Sequence, residues 1–190
     1  MQEDDEKEVT QMQWIGAFRE QKRFLFFVAS LLLILAAPVF ALDRESNRQT
    51  LRGLQGVWVL IEDLEPEIER SGLTKNQIQK DVEGRLREAG IKTLTQEEAS
   101  KTPGEPYLYV NINLNAGKPG DETYSYSVDI GVIQGVRLQR DPRQKIHAVT
   151  WSTGGVGSIK KEFVNRLSDS VEDLVNVFVK AYLSVNPRKK

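Results

Sequence analysis

The sequence predicts an α+β fold: a two-layer sandwich in which a mostly antiparallel sheet of about five strands carries two main helices on one face, in the order β-α-β-β-β-β-α. Three observations carry this expectation. Several short runs alternate apolar and polar residues, the period of a half-buried strand. Two other stretches repeat apolar residues every three or four positions, the period of a helix with one buried face. Glycine and proline punctuate the joints, and a helix with a single apolar stripe has to lie on a sheet.

The elements follow in order. Val57, Val59 and Ile61 alternate with Trp58, Leu60 and Glu62 between Gly56 and an acidic stretch, which reads as an interior strand. Residues 62–67 (EDLEPE) read as an acidic loop; they lack the ligand spacing and turn glycine of a calcium loop. The first helix has Thr74 at its N-cap with Gln77 three residues on, a capping box, and Leu73 can staple to Ile78. Ile78, Val82, Leu86 and Ala89 form its stripe, and Gly90 supplies the left-handed C-terminal residue with Ile91 folding back on Leu86. Residues 91–95 read as a short second strand. Thr95 and Glu98 repeat a capping box for one helical turn, which reaches Lys101 before the Pro103-Gly104 break.

Leu108, Val110, Ile112 and Leu114 alternate with Tyr107, Tyr109, Asn111 and Asn113, an antiparallel strand with one wet side. After a turn at residues 116–120, Tyr124, Tyr126, Val128, Ile130 and Val132 alternate with Ser125, Ser127, Asp129 and Gly131, with a bulge expected near Gly135. Asp141-Pro142 reads as the next turn. Residues 146–153 read as a strand whose inward face stays open, because Ile146 and Ala148 compete with Val149 and Trp151. Phe163, Leu167, Val171, Leu174, Val175, Phe178 and Tyr182 then define a long amphipathic helix, with a kink expected at residues 168–170 and Pro187 as its stop.

The first 41 residues read as an address. Residues 24–40 (FLFFVASLLLILAAPVF) carry no charge, follow Arg19, Lys22 and Arg23, and lead through Pro38 to Val39 and Ala41 at the −3 and −1 positions of a signal cleavage site. The acidic residues 1–11 oppose that orientation, so Met12 is the expected biological start, or residues 1–11 are dispensable. Cleavage at Ala41 implies a periplasmic or secreted protein; the alternative is an N-terminal membrane anchor, for which the apolar run is near the short limit. The expected domain organisation is residues 1–41 as extension plus signal peptide, residues 42–53 as a flexible lead-in, and residues 54–187 as a single α+β domain.

Composition excludes several classes of function. The chain has no cysteine, which removes disulfides, thiolate nucleophiles, zinc–thiolate sites and the lipid-bearing residue of a bacterial lipoprotein. Net charge is −1, and residues 42–190 hold 22 bases against 21 acids, so no electrostatic pull toward nucleic acid is expected. A membrane contact is expected only through the signal segment if it stays uncleaved.

Candidate chemistry is sparse. Residues 152–161 (STGGVGSIKK) read as a glycine-rich loop between strand and helix. Gly154, Gly155, Gly157, Ser158, Lys160 and Lys161 are its candidate anion ligands, although neither the dinucleotide nor the G-x-x-x-x-G-K-S/T pattern is met. Ser158-Ile159-Lys160-Lys161 also matches S-x-x-K, but its partner motifs fail at Lys101-Thr102-Pro103 and Ser168-Asp169-Ser170. His147 is the only histidine and lies mid-strand without a nucleophile elbow or a second metal ligand nearby. Asp129 has no assignable partner acid. No catalytic residue, metal or cofactor is expected. The surface that remains is the helix-free sheet face, where Tyr107, Tyr109, Asn111, Trp58 and Trp151 are the candidate partner-binding residues, since aromatic rings among polar neighbours suit contact surfaces.

Through GLQGVWVLIEDL, GLTKNQIQKDVEGRLREAGI, PYLYVNI and AVTWSTGGVG, residues 51–187 resemble a group of uncharacterised bacterial exported proteins. The order of elements is more distantly similar to the N-terminal domain of the Tol translocation protein and to the lipoprotein activators of peptidoglycan synthases. That resemblance implies action by binding proteins, at the level of fold analogy. The expected function is an exported, non-catalytic binding or accessory module of the cell envelope with a protein partner. The alternatives are a small-ligand or anion binder using residues 154–161, and an enzyme of unidentified type. Oligomeric state is left open.

Overall fold

The computed structural model describes residues 42–118 and 120–187; the expected signal segment, the Ala41 cleavage site and the Met12 start lie outside them. Five strands, β1 (Val57–Ile61), β2 (Thr93–Leu94), β3 (Tyr107–Ala116), β4 (Thr123–Leu138) and β5 (Asp141–Lys160), form one sheet in the order β2-β1-β3-β4-β5. The meander β3-β4-β5 is antiparallel, while β1 runs parallel to both of its neighbours, so the sheet is mixed. The helical connections after β1 and β2 account for this, because a parallel pairing needs a crossover.

Two long helices cover one face. α3 (Lys75–Glu88) and α5 (Leu167–Val185) pack on each other and on the strands, and their stripes join the inward residues of β1, β3 and β4 in one buried cluster. Ile78, Val82 and Leu86 meet Val171, Val175 and Phe178 there. Each such side chain contributes about 1.5–3 kcal/mol when fully buried, so the two stripes fix which face of the sheet is inside.

Local chemistry explains the ends of α3. Thr74 Oγ1 accepts the Gln77 N–H at 3.2 Å, but the Gln77 amide donates to Asp81 at 2.8 Å. The cap forms by Thr74 alone, and the expected return bond from Gln77 is replaced by an i,i+4 contact. At the other end Gly90, at φ 77°, lets Ile91 N–H reach Leu86 O and Gly90 N–H reach Arg87 O, both at 2.9 Å. Those two bonds are the Schellman closure. The reciprocal capping box appears instead on α4 (Gln96–Lys101), between Thr95 and Glu98.

Three expectations need correction. Residues 42–53 are not a flexible lead-in. They form α1 (Glu45–Arg48) and a 3₁₀ turn (Gln49–Leu51) docked on the fold, with Leu51 fully buried and Leu42 N–H donating to Ser152 O at 3.2 Å. The acidic stretch at 62–67 is partly helical: Pro66 opens α2 (Pro66–Arg70), where its fixed φ suits the first turn, and Ile68 anchors it in the core. Finally, the glycine-rich residues 152–160 are not a loop. They are the second half of β5, paired residue by residue with β4, and the preceding turn falls at Gln139-Arg140, ahead of Asp141-Pro142. α5 begins at Leu167 after a 3₁₀ turn (Lys161–Arg166) and runs unbroken through residues 168–170. Among the described residues, no helix is long and apolar enough to cross a membrane.

Candidate functional site

Among the described residues, the face of the sheet opposite α3 and α5 carries no long helix, and its residues are set by strand alternation. Register places them in rows. Trp58 on β1 lies beside Tyr107 on β3, which pairs with Ile133 on β4, which pairs with Val149 on β5. Ring centroids are 5.9 Å apart for Trp58 and Tyr107, and 6.3 Å for Tyr107 and His147. The next row is Leu60, Tyr109, Gly131 and Ser152. Beyond it the surface turns polar, with Asn111 beside Asp129 and Gly154, then Asn113 beside Ser127 and Val156. Asn113 Nδ2 donates to Ser127 Oγ at 3.3 Å. The open face is therefore an aromatic and apolar band next to an amide and hydroxyl ladder that also carries the Asp129 carboxylate and Val156.

Four of the five residues expected on this face are brought together: Trp58, Tyr107, Tyr109 and Asn111, all half-buried. Trp151 is not among them. It is 0% exposed on the helix side, with its ring 5.4 Å from that of Phe178. The cause is one extra residue: Val132 pairs with Trp151 but Ile133 pairs with Val149, leaving Thr150 unpaired in the ladder. This bulge sits on β5, whereas the sequence pointed to Gly135 on β4. It switches the phase of alternation, so Val149 faces out and Trp151 faces in. Thr150 is held by Gln134, whose amide reaches its hydroxyl at 2.7 Å, and by Asn47, whose amide reaches its carbonyl at 3.0 Å.

The inward Trp151 brings a polar site with it. Its indole N–H donates to Asp43 Oδ1 at 2.8 Å, and Arg48 grips both carboxylate oxygens at 2.6 Å. The Asp43 side chain is only 3% exposed. Burial works to raise its pKa, but the Arg48 and Trp151 hydrogen bonds and the nearby guanidinium charge outweigh it and hold the carboxyl below its ordinary value. This cluster ties the segment before β1 to the sheet. It is a structural lock, and a sequence reading of residues 42–53 as polar linker hides it.

The candidate anion residues are placed differently from the expectation. Gly154, Gly155, Gly157 and Ser158 lie in β5, Lys160 ends it, and Lys161 opens the 3₁₀ turn. A phosphate cradle needs several backbone N–H groups converging on one point; in a strand they point alternately to opposite edges. The glycines have another cause. A Cβ at Gly154 would collide with the Asp129 carboxylate, and one at Gly157 would sit 2.8 Å from the Tyr126 ring. Both lysines are engaged: Lys161 Nζ stands 5.3 Å from the Tyr124 ring centre and Lys160 faces Glu162 at 3.9 Å.

His147 is half-exposed and pairs through Nε2 with Glu105 Oε2 at 3.2 Å, while Lys145 binds the other carboxylate oxygen. This contact fastens the β4-β5 arm to the turn before β3. Among the described residues, no three His, Asp or Glu side chains gather as metal ligands. A cavity of about 490 Å³ between α3 and α5 is lined by four acids, Asp81, Glu88, Asp169 and Glu172, and two bases, Lys80 and Arg85. The outward residues missed by sequence reasoning are Ile133, Val149 and Leu60; the alternation of β4 and β1 was the signal that could have found Ile133 and Leu60, whereas Val149 depends on the β5 bulge. No family model matches the chain, and no curated protein matches it.

Proposed function

We propose that this chain is an exported, non-catalytic binding module of the bacterial cell envelope that holds a protein partner on its open sheet face. The observation that carries the reading is the cross-strand row of Trp58, Tyr107, Ile133 and Val149, which spans four strands without a long helix over it. Val149 is 48% exposed. Large aromatic rings beside apolar side chains, with uncharged polar groups on one side and the Glu105, Lys145 and His147 cluster on the other, have the make-up of a contact surface. Export is supported by the charge-free run at residues 24–40, the bases before it and Ala41 at its end. The likeness in element order to the Tol N-terminal domain and to peptidoglycan-synthase activators adds an analogy of fold.

The test is site-specific photocrosslinking in the producing cells. A photoreactive residue at Tyr107 gives a discrete protein adduct in the envelope fraction, and one at Glu88 on the helix side does not. Trp58→Ala combined with Val149→Ser abolishes the adduct while the folded circular-dichroism spectrum is kept. An equal adduct from both positions, or one that survives the double substitution, overturns the open-face assignment. An intact mass that begins upstream of Leu42, or recovery in the cytosol, overturns the export assignment separately.

A further inference from the structure

The two edges of the sheet are guarded differently. β2, at one edge, is two residues long and offers little to pair with. β5, at the other, runs for twenty residues with β4 as its only strand partner among the described residues. Its first part carries Pro142, Arg143 and Lys145, the residue types that discourage edge pairing. Its middle is covered by the segment before β1, through Leu42 N–H on Ser152 O and the Asn47 amide on Thr150 O. Its last part, residues 153–159, has neither device. It contains no proline and no charge, and among the described residues no backbone group from another segment hydrogen-bonds to its outer side.

Because the Ser152 carbonyl points away from β4, strand alternation directs the N–H and C=O groups of Gly154, Val156 and Ser158 the same way. Val156 is the centre of this stretch and is 81% exposed, the most exposed large apolar side chain among the described residues. We propose that a second copy of this chain pairs antiparallel along this stretch, about a two-fold axis at Val156, joining two five-stranded sheets edge to edge.

The choice of a second copy follows from symmetry. In an isologous seam the axis residue meets its own counterpart and the flanking residues lie close to their copies, so a charge-free stretch brings no like charges together. Residues 153–159 meet that condition throughout. Val156 meets Val156 and buries it, Gly154 meets Ser158 with no bulk to clash, and the seam ends where Leu42 already occupies Ser152. Three residue pairs give about six backbone hydrogen bonds. A seam of that size makes a concentration-dependent dimer rather than an obligate one. The proposal does not rest on the open-face reading, which concerns side chains in the row from Trp58 to Val149, whereas the seam is made by backbone groups of residues 154–158.

Sedimentation equilibrium of the chain as recovered from its producing cells tests it across a dilution series. The wild type shows a monomer–dimer equilibrium, and Trp58→Ala leaves it unchanged. Val156→Pro removes an outward N–H without touching the β4 ladder and abolishes the dimer. Val156→Lys places like charges on the axis and does the same, which keeps the test decisive if the proline variant folds poorly. Gly155→Ala, whose N–H points toward β4 and whose Cβ meets open space, retains the dimer. A wild type that is monomeric at every concentration, or a dimer that survives Val156→Lys, overturns the proposal; so does pairing seen only with a different protein.

Discussion

The helix-covered and open faces of this sheet are built by alternate residues of the same strands, yet each carries its tryptophan for a different purpose. Trp151 is sealed against Phe178 and spends its indole N–H on the buried Asp43 carboxylate. Trp58 rests half-buried against Tyr107, on the other face of the sheet from α3 and α5. One face is completed by the molecule itself; the other is only organised by it. The single residue Thr150 decides to which side its strand's aromatic belongs. The difference teaches that in a long twisted hairpin, exposure is set by where the ladder slips as much as by residue type.

The largest test of that contrast is Trp151→Ala. Removing a fully buried ring costs about 3–5 kcal/mol and leaves Asp43 one donor short. Urea unfolding followed by circular dichroism shows the drop in midpoint. A loss no larger than that at Trp58 would mean the two faces are energetically alike, and the comparison would fail.

Asp43→Asn comes next, because it keeps an acceptor for Trp151 and deletes only the charge held by Arg48. It costs about 1–3 kcal/mol near neutral pH. The Asp43 carboxyl titrates below its ordinary value in the folded chain. Its contribution is therefore fully present above the unfolded carboxyl pKa and is lost as pH falls through the depressed folded value. Acid unfolding curves converge for the wild type and the variant at low pH and separate as pH rises. A constant gap across that range would show that the pair is not ionic.

Much of the fold was legible from residue order, and the reasons are local. Thr74, Gly90 and the Ile78-Val82-Leu86 stripe mark α3 by caps and period, and those signals act within a few residues of one another. The alternation of β3 separates its faces because the strand is regular along its length. What escaped depends on distant contacts. The docking of residues 42–53 turns on Asp43 meeting Arg48 and Trp151, the latter more than a hundred positions away. The glycines at 154, 155 and 157 looked like a joint because glycine usually marks one; here Gly154 and Gly157 make room for Asp129 and Tyr126 from the neighbouring strand. The bulge did leave a trace, since the apolar phase switches between Ala148 and Val149, but a phase break alone does not say which strand carries the extra residue.

Trp58→Ala probes the other side of the contrast. Its ring is half-buried and its indole N–H takes no described partner, so its loss costs no more than about 1 kcal/mol of stability. The unfolding midpoint moves little while the envelope adduct at Tyr107 weakens strongly. A midpoint shift as large as that of Trp151→Ala, without a change in the adduct, would assign Trp58 to structure and take the anchor away from the proposed contact.

The smallest expected change is also the sharpest test of how finished the covered face is. Thr153 follows Trp151 on the inward side of β5, is 1% exposed, and its hydroxyl has no hydrogen-bond partner among the described residues. A buried hydroxyl that gains no bond has lost its water for nothing, whereas a methyl of the same shape loses none. Thr153→Val therefore leaves stability unchanged or raises it by up to about 1 kcal/mol, read from the same urea curves. The β-branched shape and strand preference are kept, so packing contributes little to the difference. A clear loss of stability would instead reveal that the Thr153 hydroxyl is bonded inside the folded chain, and the covered face would then owe part of its closure to a polar contact.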